Sequence, residues 1–302
     1  MINKIKHIGP IFVIIAALLW SLDGLLRRGL YSLPPSVVVF YEHLIGFGIL
    51  LFLIPKWFPD LKKMTRKEWI AMILVSLFSG ALGTIFYTAA LGKVNYIQYS
   101  VVVLLQQLQP IWAITAAAIL LKEKVTKKFL IWAALALVAA YFVNFKDLTV
   151  NFGTGGGTAI AGLFAVLAGV LWGSSTAISK YVLNKVSFLT ATALRFALAP
   201  IFALGFVVSM GQTSALFTIN SAQLISLLLI AFSTGMLALA IYYYGLKRTP
   251  ARVTTICELV WPASAVFIDY VYFHQTYSNT QILGIIVLLF AIYQIAWKNK
   301  QV

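Results

Sequence analysis

Ile11-Phe12-Val13-Ile14-Ile15-Ala16-Ala17-Leu18-Leu19-Trp20-Ser21-Leu22 reads as the core of a helix that crosses a bilayer, because the run carries no charge and does not alternate. A surface helix of a soluble domain would place polar residues along one face, and a barrel strand would alternate apolar and polar positions. A hydrocarbon core about 30 Å thick asks for roughly 17–25 apolar residues per helix. Runs of the same character recur at Val37–Ile54 and Ile282–Trp297.

Outward from this run, the whole chain has the same composition. Of its 302 residues, 61% are hydrophobic and 10% charged, with mean hydropathy +0.93. That is too little polar surface to cover a soluble core. The pattern predicts an all-α membrane protein with ten transmembrane helices, near residues 10–26, 36–54, 70–91, 97–121, 129–145, 159–179, 188–210, 223–244, 253–273 and 281–297. Lys4 and Lys6 before an apolar run resemble a signal peptide, but no A-x-A-like site follows Leu22. The first helix is therefore expected to be retained.

A net charge of +15 would suggest nucleic acid in a soluble protein. Here the basic residues sit in short connections, so nucleic acid is excluded as a partner and the bilayer takes its place. With both termini cytoplasmic, 18 of the 23 Lys and Arg fall on the inner side; Arg27, Arg28, Lys93 and Lys146 fall outside and Arg195 within a span. Cytoplasmic loops carry such an excess. The lone Cys257 rules out an internal disulfide and a cysteine metal cluster. No metal, cofactor or catalytic constellation is expected.

A repeat runs through the chain. Trp20 matches Trp172, and Pro110 in Gln109-Pro110-Ile111 matches Pro262 in Trp261-Pro262-Ala263, both 152 residues apart. Thirteen residues beyond each proline stand Glu123 and Gln275. The halves are residues 1–150 and 159–302, joined by a Gly-rich linker at 151–158 that lacks the Gly-Lys-Ser/Thr of a phosphate loop. Five spans per half, an odd number, turn the second half upside down relative to the first. Inverted repeats exchange inward- and outward-open shapes around a site near the midplane.

The five-plus-five layout, Trp20 and Trp172, Pro110 and Pro262, and Leu121-Lys122-Glu123-Lys124-Val125 together resemble the drug/metabolite transporter superfamily, EamA branch. The resemblance covers nearly the whole chain and implies a secondary transporter, with helices one, three, four, six, eight and nine around a central cavity. It leaves the substrate open. Two departures stand out: Gln275 where the pattern usually has an acid, and the polar Gln106-Gln107-Leu108-Gln109 stretch.

Ionisable groups inside apolar spans are expensive and mark candidate functional positions. Glu258 lies one turn before Pro262, and its partner at the repeat offset is Gln106. The pair is expected to face across the cavity, with Glu258 a counter-ion or proton carrier; a buried acid satisfied by Arg195 is the bland alternative. Glu42, His43, Arg195, Asp23 and Asp269 are coupling or gating candidates, with a Glu42–Arg195 contact expected. Asp23 and Arg27 stand i,i+4 and read equally as an interfacial salt bridge. Tyr87 and Thr88 on helix three, Tyr242 and Tyr243 on helix eight, and Trp20, Trp172 and Trp261 are candidate cavity walls.

The excess of buried acids favours a cationic or zwitterionic amine or amino acid, with proton coupling. A neutral aromatic or nucleoside-like cargo is the alternative, with Glu258 then serving only protons. A membrane enzyme would want a motif such as H-E-x-x-H, which Glu42-His43 lacks, and a passive pore needs no inverted repeat. Short loops suggest a prokaryotic inner membrane, and monomer and homodimer both stay open.

Overall fold

The computed structural model describes residues 8–93, 102, 105–144, 158–273 and 277–298, and among them every regular element is helical. In chain order these are α1 (Gly9–Leu30), α2 (Pro35–Leu51), α3 (Arg66–Leu91), α4 (Gln109–Leu120), α5 (Lys127–Asn144), α6 (Thr158–Leu183), α7 (Phe188–Ser209), α8 (Ser221–Arg248), α9 (Ala251–Cys257), α10 (Val260–Phe273) and α11 (Asn279–Lys298). The linker predicted at 151–158 lies almost wholly outside the described residues.

Six of these helices are long and apolar enough to cross a membrane: α1, α3, α7, α8, α11, and α6 from Ile160. A seventh is counted if α2 is joined to Ile54–Lys63 across an 86° bend. Residues 97–101 and 103–104 of the span predicted at 97–121 lie outside the described residues, and among those described the shortfall from ten has a physical cause in two places. A turn at Gln107-Leu108 precedes the 12-residue α4, and Glu258-Leu259 separates α9 from α10. Both breaks sit just ahead of a proline, Pro110 and Pro262, whose missing N–H and ring disturb the preceding turn.

Short polar caps start the helices. Thr65 and Glu68 form a capping box at α3, Asn220 and Gln223 at α8, and Ser278 and Gln281 at α11. These satisfy backbone donors that would otherwise lie bare at a helix start. α3 and α8 also share a defect: each contains a π-helical turn, at Ser76–Leu82 and Ala231–Gly235. The two caps and the two π turns begin 155 residues apart.

The interior is built from small residues and the outside from large ones. Ala16, Ala17, Ala136, Ala161, Ala165 and Ala168 are fully buried, while Phe52, Ile119 and Val208 face outward. This is the distribution of helices packed in lipid, where close backbone approach replaces the hydrophobic drive. A Cβ at Gly169 would lie 2.8 Å from the Gln106 carbonyl, and one at Gly245 would lie 2.8 Å from the Gly9 carbonyl. Helix contacts come in related pairs: α1 packs on α8 and α6 on α3, while α1 meets α10 and α6 meets α4. α2 packs on α7 and α5 on α11.

Candidate functional site

The two broken helices meet. α9 packs against α4, and the polar residues at their breaks line one central cavity with side chains from α1, α2, α3, α6, α7 and α8. Irregular backbone at membrane depth is tolerated where it lines such a cavity.

Glu258 stands at the α9–α10 break. Its Oε1 accepts the Tyr242 hydroxyl at 2.8 Å and its Oε2 accepts the Gln109 amide Nε2 at 2.6 Å. The Gln109 Oε1 in turn accepts Gln106 Nε2 at 2.9 Å. Gln106 and Glu258, expected to face each other across the cavity, are thus linked in one hydrogen-bonded chain through Gln109, which was not among the candidate site residues. Arg195 is not Glu258's partner: its Nη2 donates to the Ser79 carbonyl at 3.0 Å.

The aromatic walls repeat across the two halves. Trp20 lies against Tyr242 with ring centroids 5.1 Å apart at 51°, and Trp172 lies against Tyr87 at 5.1 Å and 51°. Each tryptophan therefore lies tilted against a tyrosine of the opposite half. Trp261 approaches Tyr87 edge-on at 6.1 Å. Tyr243 bonds Ser179 at 3.2 Å, and Thr176 bonds Tyr242 at 3.2 Å. All six aromatic side chains line the cavity. Thr88 does not; it is buried and accepts Arg27 Nη1 at 3.4 Å.

Arg27 corrects the reading of the charges. Instead of lying in an outer loop, it is 3% exposed on the last turns of α1. It pairs with Asp23 and, at 2.7 Å, with Glu42 Oε2. Asp23 Oδ1 also accepts Thr234 Oγ1, from the π turn of α8, at 2.7 Å. The expected Asp23–Arg27 pair exists, but in the interior; Glu42 is satisfied by Arg27, not by Arg195. His43 donates Nδ1–H to the Val39 carbonyl at 2.9 Å and stacks on Phe196 at 4.8 Å. Its acceptor is a carbonyl, so Nδ1 carries the proton. Asp269 belongs to α10, but its side chain lies outside the described residues.

Among the described residues, five that line the cavity hold buried polar atoms without a hydrogen-bond partner: Gln106 Oε1, Ser175 Oγ, Arg195 Nε, Thr255 Oγ1 and Trp261 Nε1. Buried polar groups in folded proteins are nearly always paired, so this concentration sets these residues apart as candidate binding positions. Among the described residues no three His, Cys, Asp or Glu side chains gather as metal ligands.

Comparison with known proteins agrees with this architecture. The chain is 34% identical over 301 residues, 99% of its own length and 100% of the relative's, to the riboflavin transporter ImpX of Fusobacterium nucleatum. It is 26% identical to protein LicB of Haemophilus influenzae, covering 93% of this chain and 97% of that one. A solved crystal structure shares the fold with a TM-score of 0.73 at 16% identity, over 95% of this chain and 97% of the other. The model of the EamA-like transporter family matches twice, at residues 7–145 and 159–297, with both ends displaced by 152. The chain is accordingly a member of the EamA-like transporter family, a multi-pass membrane transporter of a small metabolite and not an enzyme.

Proposed function

We propose that the chain is a secondary transporter of riboflavin or a closely related neutral flavin, working by alternating access between two inverted five-helix halves in a bacterial inner membrane. Ten crossing helices with both termini cytoplasmic, counting the broken α9–α10 as one, fit the excess of Lys and Arg in alternate connections. The exchange of ring partners, Trp20 with Tyr242 and Trp172 with Tyr87, is the pattern expected when a pseudo-two-fold relates the halves.

The observation that carries the substrate reading is the mixture lining the cavity: paired aromatic walls, a run of buried amides, and hydroxyls of Ser175 and Thr255 without partners. A flavin presents a flat heteroaromatic ring, an imide edge and a chain of hydroxyls. Stacking on aromatic rings contributes about 1–3 kcal/mol per ring. The relative named a riboflavin transporter supports the same choice.

A cationic amine or amino acid, favoured by the sequence, loses its main argument. Asp23 and Glu42 share Arg27, Arg195 lines the same cavity, and both oxygens of Glu258 already accept protein donors. The ionic cluster of Asp23, Arg27 and Glu42, with His43 and Arg195 nearby, is where a gate or a proton would act.

Flavin fluorescence tests the reading directly, because stacking on Trp and Tyr quenches it. Purified protein titrated into riboflavin should quench saturably, and proteoliposomes loaded with riboflavin should exchange it for labelled riboflavin outside. If riboflavin neither binds nor exchanges, while choline or an amino acid does, the flavin reading fails and the amine reading returns.

A further inference from the structure

The relay from Glu258 to Gln106 has a fixed direction, and that direction decides what the cavity offers a substrate. Both oxygens of Glu258 accept from protein donors, Oε1 from Tyr242 and Oε2 from Gln109, so toward the relay it presents acceptors only. Glu258 Oε2 therefore receives the amide nitrogen of Gln109, at 2.6 Å. Gln109 must then turn its oxygen the other way, where it meets the amide nitrogen of Gln106 at 2.9 Å. Gln106 is left with its own oxygen as the free end of the relay, buried and without a partner, on a residue that lines the cavity. The Tyr242 hydroxyl occupies Oε1 of Glu258, which holds the carboxylate in place for the relay. An amide side chain alone can present either a donor or an acceptor; two amides chained to a carboxylate cannot.

From this geometry we propose that Glu258 is a positioning residue: acting through Gln109, it fixes Gln106 Oε1 as the acceptor for a ring N–H of the substrate. The inference rests on the flavin reading and deepens it. The flavin imide carries one N–H, at N3, between two carbonyl groups. Gln106 Oε1 accepts that N–H. The Trp261 indole N–H, which also lines the cavity unpaired, is a donor suited to a flanking carbonyl. The site thus selects a donor-bearing imide edge and rejects an N-alkylated one, since methylation both removes the donor and leaves the buried acceptor unpaired.

The test compares riboflavin with 3-methylriboflavin by fluorescence quenching on the purified full-length chain. The wild type should prefer riboflavin by at least about tenfold. Gln106→Met should erase the preference. Glu258→Gln frees the relay to run either way, so the preference should shrink severalfold or disappear even where the protein stays monodisperse. The double variant Gln106→Glu with Glu258→Gln moves the carboxylate to the other end, keeps an acceptor facing the cavity, and should restore the preference.

Equal affinity of the wild type for both flavins overturns the imide assignment and leaves the flavin reading standing. An undiminished preference in Glu258→Gln overturns the relay. Absence of riboflavin binding to the wild type defeats the flavin reading itself, and this inference with it. The wild-type comparison needs no variant to fold.

Discussion

Glu123 reaches from the connection after α4 to clamp the start of α9, where it pairs with Arg252 at 3.2 Å. The same carboxylate accepts the backbone N–H of Ala251 at 2.7 Å and that of Arg252 at 3.1 Å. Both side chains are about nine-tenths buried, so the pair ties the broken helix bearing Glu258 to the half of the chain that carries Gln106 and Gln109.

Removing one member of a buried ion pair leaves the other charge uncompensated, at a cost of about 3–5 kcal/mol. Glu123→Ala should therefore lower the melting temperature in detergent clearly, and Glu123→Gln, which still accepts a backbone N–H, should lower it less. Equal melting curves for wild type and Glu123→Ala would remove the clamp from the account.

The Asp23–Arg27–Glu42 cluster should behave non-additively. Arg27→Leu leaves two buried carboxylates without their cation, whereas Arg27→Leu combined with Asp23→Asn and Glu42→Gln leaves no unpaired charge. Neutral replacement of a whole buried network is often tolerated where single removal is not. The triple variant is expected to express and melt closer to wild type than the single one, even if transport is lost in both.

Helix contact at Gly169 is tight enough to forbid a side chain. A Cβ there would meet the Gln106 carbonyl at 2.8 Å, so α6 must move off the segment ahead of α4 to admit one. Gly169→Val should give protein that aggregates or melts early on size-exclusion chromatography. Gly48→Ala, at a position where an added Cβ meets nothing within 4 Å, should be silent in the same assay.

Loss of an aromatic wall should weaken flavin binding without unfolding the protein. Trp172→Ala removes a ring of the cavity wall that lies tilted against Tyr87, and loss of ligand stacking worth about 1–3 kcal/mol translates to roughly a five- to 150-fold weaker dissociation constant. Trp172→Phe should retain most of the affinity. Identical quenching curves for wild type and Trp172→Ala would place the ring elsewhere.

Topology can be read with membrane-impermeant thiol reagents. Cys257 is the sole cysteine and is buried, so Cys257→Ala gives a blank background. On it, Gln212→Cys should react in intact cells and Lys124→Cys only after permeabilisation. The opposite labelling would invert the proposed orientation.

Much of the architecture could be read from residues alone. The run at 11–22, the 152-residue offset of Trp20 and Trp172, and the polar pair Gln106 and Glu258 all reappear in the fold and cavity. What escaped depends on side-chain direction and on three-dimensional neighbours. Arg27 looked like a loop residue because a charge near a helix end is ordinarily solvated; only the nearness of Asp23 and Glu42 lets α1 carry it inward. Symmetry suggested Glu42 and Arg195 as partners, yet Arg195 found a carbonyl. Gln109 hid in a polar stretch whose hydrogen-bond order no spacing rule reveals, and the π turns of α3 and α8 lie in short runs rich in small and hydroxyl residues that carry no periodic trace of them.

The π turn of α3 puts one peptide carbonyl, Ser79, within reach of Thr84 at 3.0 Å, the Trp172 indole at 3.1 Å and Arg195 Nη2 at 3.0 Å. Those donors belong to α3, α6 and α7. Sliding α6 or α7 past α3 would strip one bond from that oxygen, and sliding α3 past both would strip two. The three helices should therefore travel as one block when the cavity changes the side it faces, and the sliding surfaces must lie elsewhere in the bundle.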